Sequence, residues 1–131
     1  MTTELRLLAA SVILGLVHLI AASHLISFQR SYRWTASSRE EAVPPLRGLA
    51  NRVDQATTNF LETFPLFATV VLAAHITSRE SPLTLWGAHL YFWARAGYLL
   101  AAVAGYSLVR SVLFWNTALT GILLFLIALL W

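Results

Sequence analysis

The sequence predicts an all-α membrane protein, a bundle of four transmembrane helices forming one domain over residues 1–131. Three observations predict it. Hydrophobic residues make up 58% of the chain and charged residues 11%, with mean hydropathy +0.68, whereas soluble domains carry about 25% charged residues. Four apolar stretches, each close to the roughly 20 residues that cross a bilayer, are separated by short polar breaks. The second stretch, Ala56 to Ile76, contains Asn59 and Glu62, and a charge at that depth costs roughly 2.5 to 3.5 kcal/mol unless a bundle interior receives it.

The elements follow in order. Helix 1 reads Leu5 to about Ser27, with Glu4 and Arg6 before it. It can act as an uncleaved insertion signal and is longer than a signal-peptide core. The polar loop Phe28 to Leu49 carries Arg30, Arg33, Arg39, Glu40, Glu41 and Arg47. Pro44-Pro45 cannot continue a helix, so helix 2 starts just after them and runs from about Arg47 to Ile76. Ser78 to Pro82 forms a tight connection, helix 3 covers about Leu83 to Ala104, Gly105-Tyr106-Ser107 turns the chain, and helix 4 runs from about Leu108 to Trp131. Tyr32, Trp34, Trp86 and Tyr91 are placed as interfacial anchors would be. Pro65 is tolerated within a membrane helix and is expected to kink it beside Asn59 and Glu62. Gly97 and Gly105 are expected to permit close helix approach.

Nine arginines and no lysine carry the positive charge. In so apolar a chain this reports topology rather than nucleic-acid binding, despite a pI near 10. Arg30, Arg33, Arg39, Arg47, Arg52 and Arg110 lie on the side of loops 1 and 3, against Arg6 and Arg79 on the other. Arginine-rich short loops stay cytoplasmic, which puts both termini outside. Minimal loops and a Leu130-Trp131 end without a retention signal point to a bacterial inner membrane.

No cysteine is present, so any thiol chemistry needs an external thiol. His18, His24, His75 and His89 lack metal-ligand spacing, no metal site is expected, and no serine sits in a nucleophile-elbow pattern. What remains is a ladder: Arg52, Gln55, Asn59 and Glu62 advance by three or four residues and share one helical face. Such a ladder serves equally as interhelical glue, at about 0.6 kcal/mol per bond, or as a ligand site. Arg95 is the other charge within a span, and Glu62 is its expected partner, so that Glu62→Gln is expected to destabilise the bundle. Arg110, at the start of helix 4, reads either as a topology charge contacting phospholipid or as part of a site.

The stretch Arg52-Val53-Asp54-Gln55-Ala56-Thr57-Thr58-Asn59-Phe60-Leu61-Glu62-Thr63-Phe64-Pro65-Leu66-Phe67 resembles the second-helix motif of the MAPEG family, the membrane-associated proteins of eicosanoid and glutathione metabolism. Ala94-Arg95 followed by Tyr98, and Arg110-Ser111-Val112, are similar to helices 3 and 4 of its prostaglandin E synthase branch. The resemblance implies a homotrimer with glutathione, as co-substrate, bound between subunits near the cytoplasmic face. It implies that Arg110 stabilises the glutathione thiolate for attack on a lipophilic electrophile, while Gln55, Asn59, Glu62, Arg95 and Tyr98 form the binding site. The sequence departs from the pattern at Gln55, where glutathione-binding members place an arginine, at Thr63, which replaces a tyrosine, and at Ala101-Ala102, where an aromatic is expected. Losing a charge-assisted bond to a carboxylate costs roughly 1.5 to 3 kcal/mol, about 10- to 150-fold in affinity. The readings are therefore a glutathione transferase or peroxidase, a non-catalytic lipid-binding or scaffold member of the family, or a small transporter using Glu62 and Arg95 as a relay.

Overall fold

The computed structural model describes residues 1–39 and 42–131, so Glu40 and Glu41 of the first loop lie outside the described residues. The elements are α1 (Thr3–Arg30), a short α2 (Tyr32–Ala36), α3 (Gly48–Ile76), α4 (Pro82–Ala104), a π-helical segment (Val109–Phe114) and α5 (Trp115–Leu130), which continues it. No strand occurs among the described residues.

Local chemistry sets the helix ends. Thr2 Oγ1 accepts from the Leu5 N–H at 3.3 Å, satisfying one of the free N–H groups of α1. Glu4 in the first turn and Arg30 in the last complement its dipole. α3 follows Pro44-Pro45 and stays helical through Pro65. Pro82, expected in the connection, is instead the first residue of α4, where its missing N–H costs nothing. The Ser81 N–H donates to Thr84 Oγ1 at 2.8 Å. α4 ends at Gly105 in the left-handed conformation (φ 88°), with the Tyr106 N–H closing back on the Ala101 carbonyl at 2.9 Å. Gly105 thus serves as a stop rather than a packing contact.

α4 packs against α1, α3 and α5, and α1 packs along α3. Hydrocarbon offers no hydrophobic drive for helices to associate, so close packing of small residues does this job in a membrane. Gly87 of α4 and Gly121 of α5 supply it: a Cβ at Gly87 would lie 2.7 Å from the Gly121 carbonyl oxygen, and one at Gly121 would lie 2.5 Å from that of Gly87. Below this contact, Phe67 and Tyr91 stack at 4.0 Å between centroids, with Phe125 edge-on to Phe67 at 6.0 Å. Tyr91 is therefore a core residue rather than an interfacial anchor. It is fully buried and shares a 3.0 Å hydrogen bond with Thr63 Oγ1. Trp86 and Tyr32 do lie on the exterior.

The outer faces of α1 and α5 expose Ile13, Leu16, Ile20, Leu123 and Ile127. Three segments are long and apolar enough to cross a membrane: Thr3–Arg30, Gly48–Ile76 and Val109–Leu130. At the end of the bundle near Met1, the polar groups pair. Thr84 Oγ1 lies 2.7 Å from the buried Glu4 carboxylate, Thr2 Oγ1 donates to Glu80 at 2.8 Å, and His75 Nδ1 sits 3.3 Å from Glu80 Oε1. These bonds tie the start of α1 to the α3–α4 turn.

Candidate functional site

Three rungs of the α3 ladder, Arg52, Gln55 and Asn59, each meet a different partner. Arg52 donates from Nε to the Ala102 carbonyl at 2.8 Å and from Nη2 to the Val103 carbonyl at 3.3 Å. It caps the carboxyl end of α4, where unpaired carbonyls and the helix dipole favour a cation. One turn on, Gln55 Oε1 accepts a 3.2 Å hydrogen bond from Arg110 Nη2. Asn59 Oδ1 accepts from Arg95 Nη1 at 2.6 Å, and Arg95 Nη2 reaches the Ala56 carbonyl at 3.4 Å.

Glu62 does not pair with Arg95. The carboxylate is on the exposed side of α3 and makes no hydrogen bond or ion pair among the described residues. Three residues of helix advance about 300°, so Glu62 lies some 60° around the cylinder from Asn59, enough to take it from the α4 contact to the outer surface. The expectation that Glu62→Gln loosens the bundle therefore has no contact among the described residues to rest on.

Arg95 is fully buried. Its guanidinium lies 4.3 Å from the Tyr98 ring centroid and 5.6 Å from that of Phe60, geometry in which desolvated cation–π contacts contribute about 2 kcal/mol. Phe60 in turn stacks on His18 at 4.8 Å. His18 Nδ1 lies 2.8 Å from the Leu14 carbonyl; a carbonyl only accepts, so Nδ1 carries the proton. The buried Nε2 is then a bare acceptor without a partner. His18 and Phe60 were not legible as neighbours of the site. Their one sequence signal is that a histidine inside an apolar span needs a polar or aromatic contact.

Arg110 sits in the π-helical segment Val109–Phe114. Such segments are rare and widen a helix locally, often beside functional groups. Nothing in Val109-Arg110-Ser111-Val112-Leu113-Phe114 marks the widened turn. At its end the segment packs tightly on α4: a Cβ at Gly97 would be 2.5 Å from Phe114 Cε1, so the ring occupies space that only glycine leaves open. Gly97 thus serves close approach as expected, but to a side chain. Arg110 Nε and Nη1 are buried and have no hydrogen-bond partner among the described residues.

Residues 7–131 match the model of the MAPEG family. The chain belongs to the MAPEG family. Neither curated proteins nor solved structures gave a match. As a MAPEG protein with three apolar helices of spanning length, it is an integral membrane protein. The structure brings Gln55 together with Arg110, and Asn59 together with Arg95 and Tyr98, while Glu62 points away from both groups. Two guanidiniums thus lie along one stretch of α3: Arg95 is held by a carboxamide, a carbonyl and two rings, and Arg110 by a single carboxamide with two donors unspent. Chemically, the first is a fixed buried charge and the second can receive an anion.

Proposed function

We propose that this MAPEG protein is a glutathione-dependent transferase or peroxidase acting on lipophilic electrophiles within the membrane. One observation carries the reading: Arg110 is oriented by Gln55 through one N–H while Nε and Nη1 remain buried and unpaired. Buried donors without partners cost about 1 to 3 kcal/mol, a cost a bound anion offsets. A thiolate placed there is favoured over the thiol, which raises the nucleophile's population at neutral pH. In the transferase reaction the thiol proton leaves to solvent and the thiolate sulfur forms a bond to the electrophilic carbon, while that carbon's bond to its leaving group breaks and the group departs with the electron pair. In the peroxidase reaction two thiols become a disulfide as the peroxide O–O bond is cleaved to alcohol and water.

The rest of the reading follows the family resemblance and the exposed carboxylate. Glu62 stands alone on the outer face of a spanning helix, where an isolated charge is costly. A homotrimer covers that face with a second copy, and glutathione lies between subunits with its amine toward Glu62 and its peptide part toward Asn59, Arg95 and Tyr98. α4 crosses the membrane with the other three helices, both termini lie outside the cytoplasm, and the membrane is a bacterial inner membrane. The second reading is a non-catalytic lipid-binding or scaffold protein of the family. Gln55 favours it, since the resemblance expects a guanidinium at that position.

Calorimetry on the detergent-purified protein separates them. Saturable glutathione binding that falls at least tenfold in Arg110→Ala and tightens in Gln55→Arg supports the enzyme and justifies an electrophile screen. No binding at millimolar glutathione in folded protein overturns it in favour of the second reading.

A further inference from the structure

At the end of α1 farthest from Met1, two cavities meet. The first, of about 400 Å³, is bounded by Arg30, Arg33, Trp34 and three serines, Ser31, Ser37 and Ser38. The second, of about 370 Å³, shares Arg30 and Trp34 with the first and runs back along α1 past Ile26 and Ala22 to Leu19. Leu46 and Thr57 wall its other side, and Arg39 and Asp54 are its remaining charged residues among those described.

The polar half has unused cationic capacity. Trp34 lies between two guanidiniums, Arg30 at 4.9 Å and Arg39 at 5.5 Å from the ring centroid. Arg39 spends Nε and Nη2 on the Thr35 carbonyl. Arg30 donates from Nη2 to the Pro44 carbonyl at 3.1 Å, but its buried Nε has no partner among the described residues. Arg33 makes no hydrogen bond or ion pair among the described residues. Between residues 30 and 47 the sequence holds four arginines and two glutamates, so the segment is net cationic. The apolar half has the length of one leaflet. From Leu19 to Arg30 a helix rises roughly 16 Å, about half the 30 Å hydrocarbon core.

We propose that the paired cavities bind one anionic glycerophospholipid from the leaflet on the first-loop side. Its phosphate meets Arg30 Nε, Arg33 and the serine hydroxyls, its glycerol region lies against Trp34, and one acyl chain follows the groove between α1 and α3 to Leu19. An inorganic anion would use only the polar half, and a zwitterionic lipid would bring a choline against the arginines. The site is separate from the Gln55–Arg110 and Asn59–Arg95 groups and does not depend on glutathione chemistry.

Native mass spectrometry of the full chain in detergent tests this, with dioleoyl phosphatidylglycerol and dioleoyl phosphatidylcholine offered in equal amounts. Each cation near an anionic lipid contributes about fivefold in affinity. Wild type is expected to retain phosphatidylglycerol in preference, Arg33→Gln to lose about fivefold, and Arg30→Gln/Arg33→Gln about 25-fold. Ser23→Phe, at an exposed position lining the groove, is expected to reduce retention with helicity by circular dichroism unchanged. Equal retention of the two lipids overturns the proposal, as does phosphatidylglycerol retention unmoved by the arginine variants. Displacement of the lipid by millimolar glycerol 3-phosphate, with Ser23→Phe behaving as wild type, overturns it in favour of a free-anion site.

Discussion

Removing the Asn59 carboxamide should cost more than membrane hydrogen bonds usually do. Interhelical bonds in a bilayer average about 0.6 kcal/mol, because the unfolded helices find substitute partners. Here the donor is a guanidinium with no exposed surface. Among the described residues its bond to Asn59 is 2.6 Å, its only other one, to the Ala56 carbonyl, is 3.4 Å, and Nε has none. Charge-assisted bonds are worth roughly 1.5 to 3 kcal/mol, and α4 cannot rotate Arg95 toward water without breaking the Gly87–Gly121 contact. Asn59→Leu is therefore expected to lower unfolding free energy by about 1.5 kcal/mol or more, tenfold in the folding equilibrium. Asn59→Asp should hold or raise stability by placing a carboxylate opposite the guanidinium. Arg95→Met with Asn59→Leu should recover much of the loss, since apolar replacement of a buried polar pair is often neutral. The assay is reversible unfolding in bicelles across this double-mutant cycle. A loss under 0.5 kcal/mol in Asn59→Leu, with no coupling to Arg95→Met, would refute the reasoning that Asn59 satisfies a buried charge.

Other positions give contrasting expectations. Gly87→Ala meets a backbone oxygen at 2.7 Å and Gly15→Ala meets the Phe60 ring edge at 2.9 Å; the backbone cannot swing aside, so the first should cost about 1 to 3 kcal/mol and the second less, as thermal unfolding of both would show. Tyr91→Phe removes the 3.0 Å bond to Thr63, whose hydroxyl can still turn to the Phe60 carbonyl at 3.2 Å. About 1 kcal/mol of stability should be lost, and a larger loss would mean that the bond anchors more than its two partners. Glu62→Gln should leave unfolding of the single chain within about 0.5 kcal/mol of wild type, and a clear destabilisation would expose a contact within the chain absent from this arrangement.

Helix placement was legible because it follows from local rules. Apolar runs of spanning length, Pro44-Pro45, Ser81-Pro82 and Gly105 mark where helices cannot continue, and the observed bounds of α3 and α4 fall within one residue of those expected. The helical period likewise put Arg52, Gln55, Asn59 and Glu62 on one face. It did not say how far around the cylinder the neighbouring helix reaches. Asn59 lies within that reach and Glu62 beyond it, so Arg95 takes the carboxamide and leaves the carboxylate outside. Tyr91 was misjudged because residue type alone suits a tyrosine equally to an interface or a core; it lies in the middle of Pro82–Ala104 and stacks on Phe67.

By itself the sequence determined that this chain is a helical membrane protein of the MAPEG family and where α3 and α4 begin and end, while α1 runs to Arg30 and a short helix, Tyr32–Ala36, occupies what was expected to be loop. Only the tertiary structure decided that Gln55 bonds Arg110, that Asn59 rather than Glu62 holds Arg95, and that a π-helical segment precedes α5. Helix formation depends on neighbours a few residues apart, which a sequence displays. Partner choice depends on how far around each helix its neighbours reach, a geometry fixed only when α3, α4 and α5 pack.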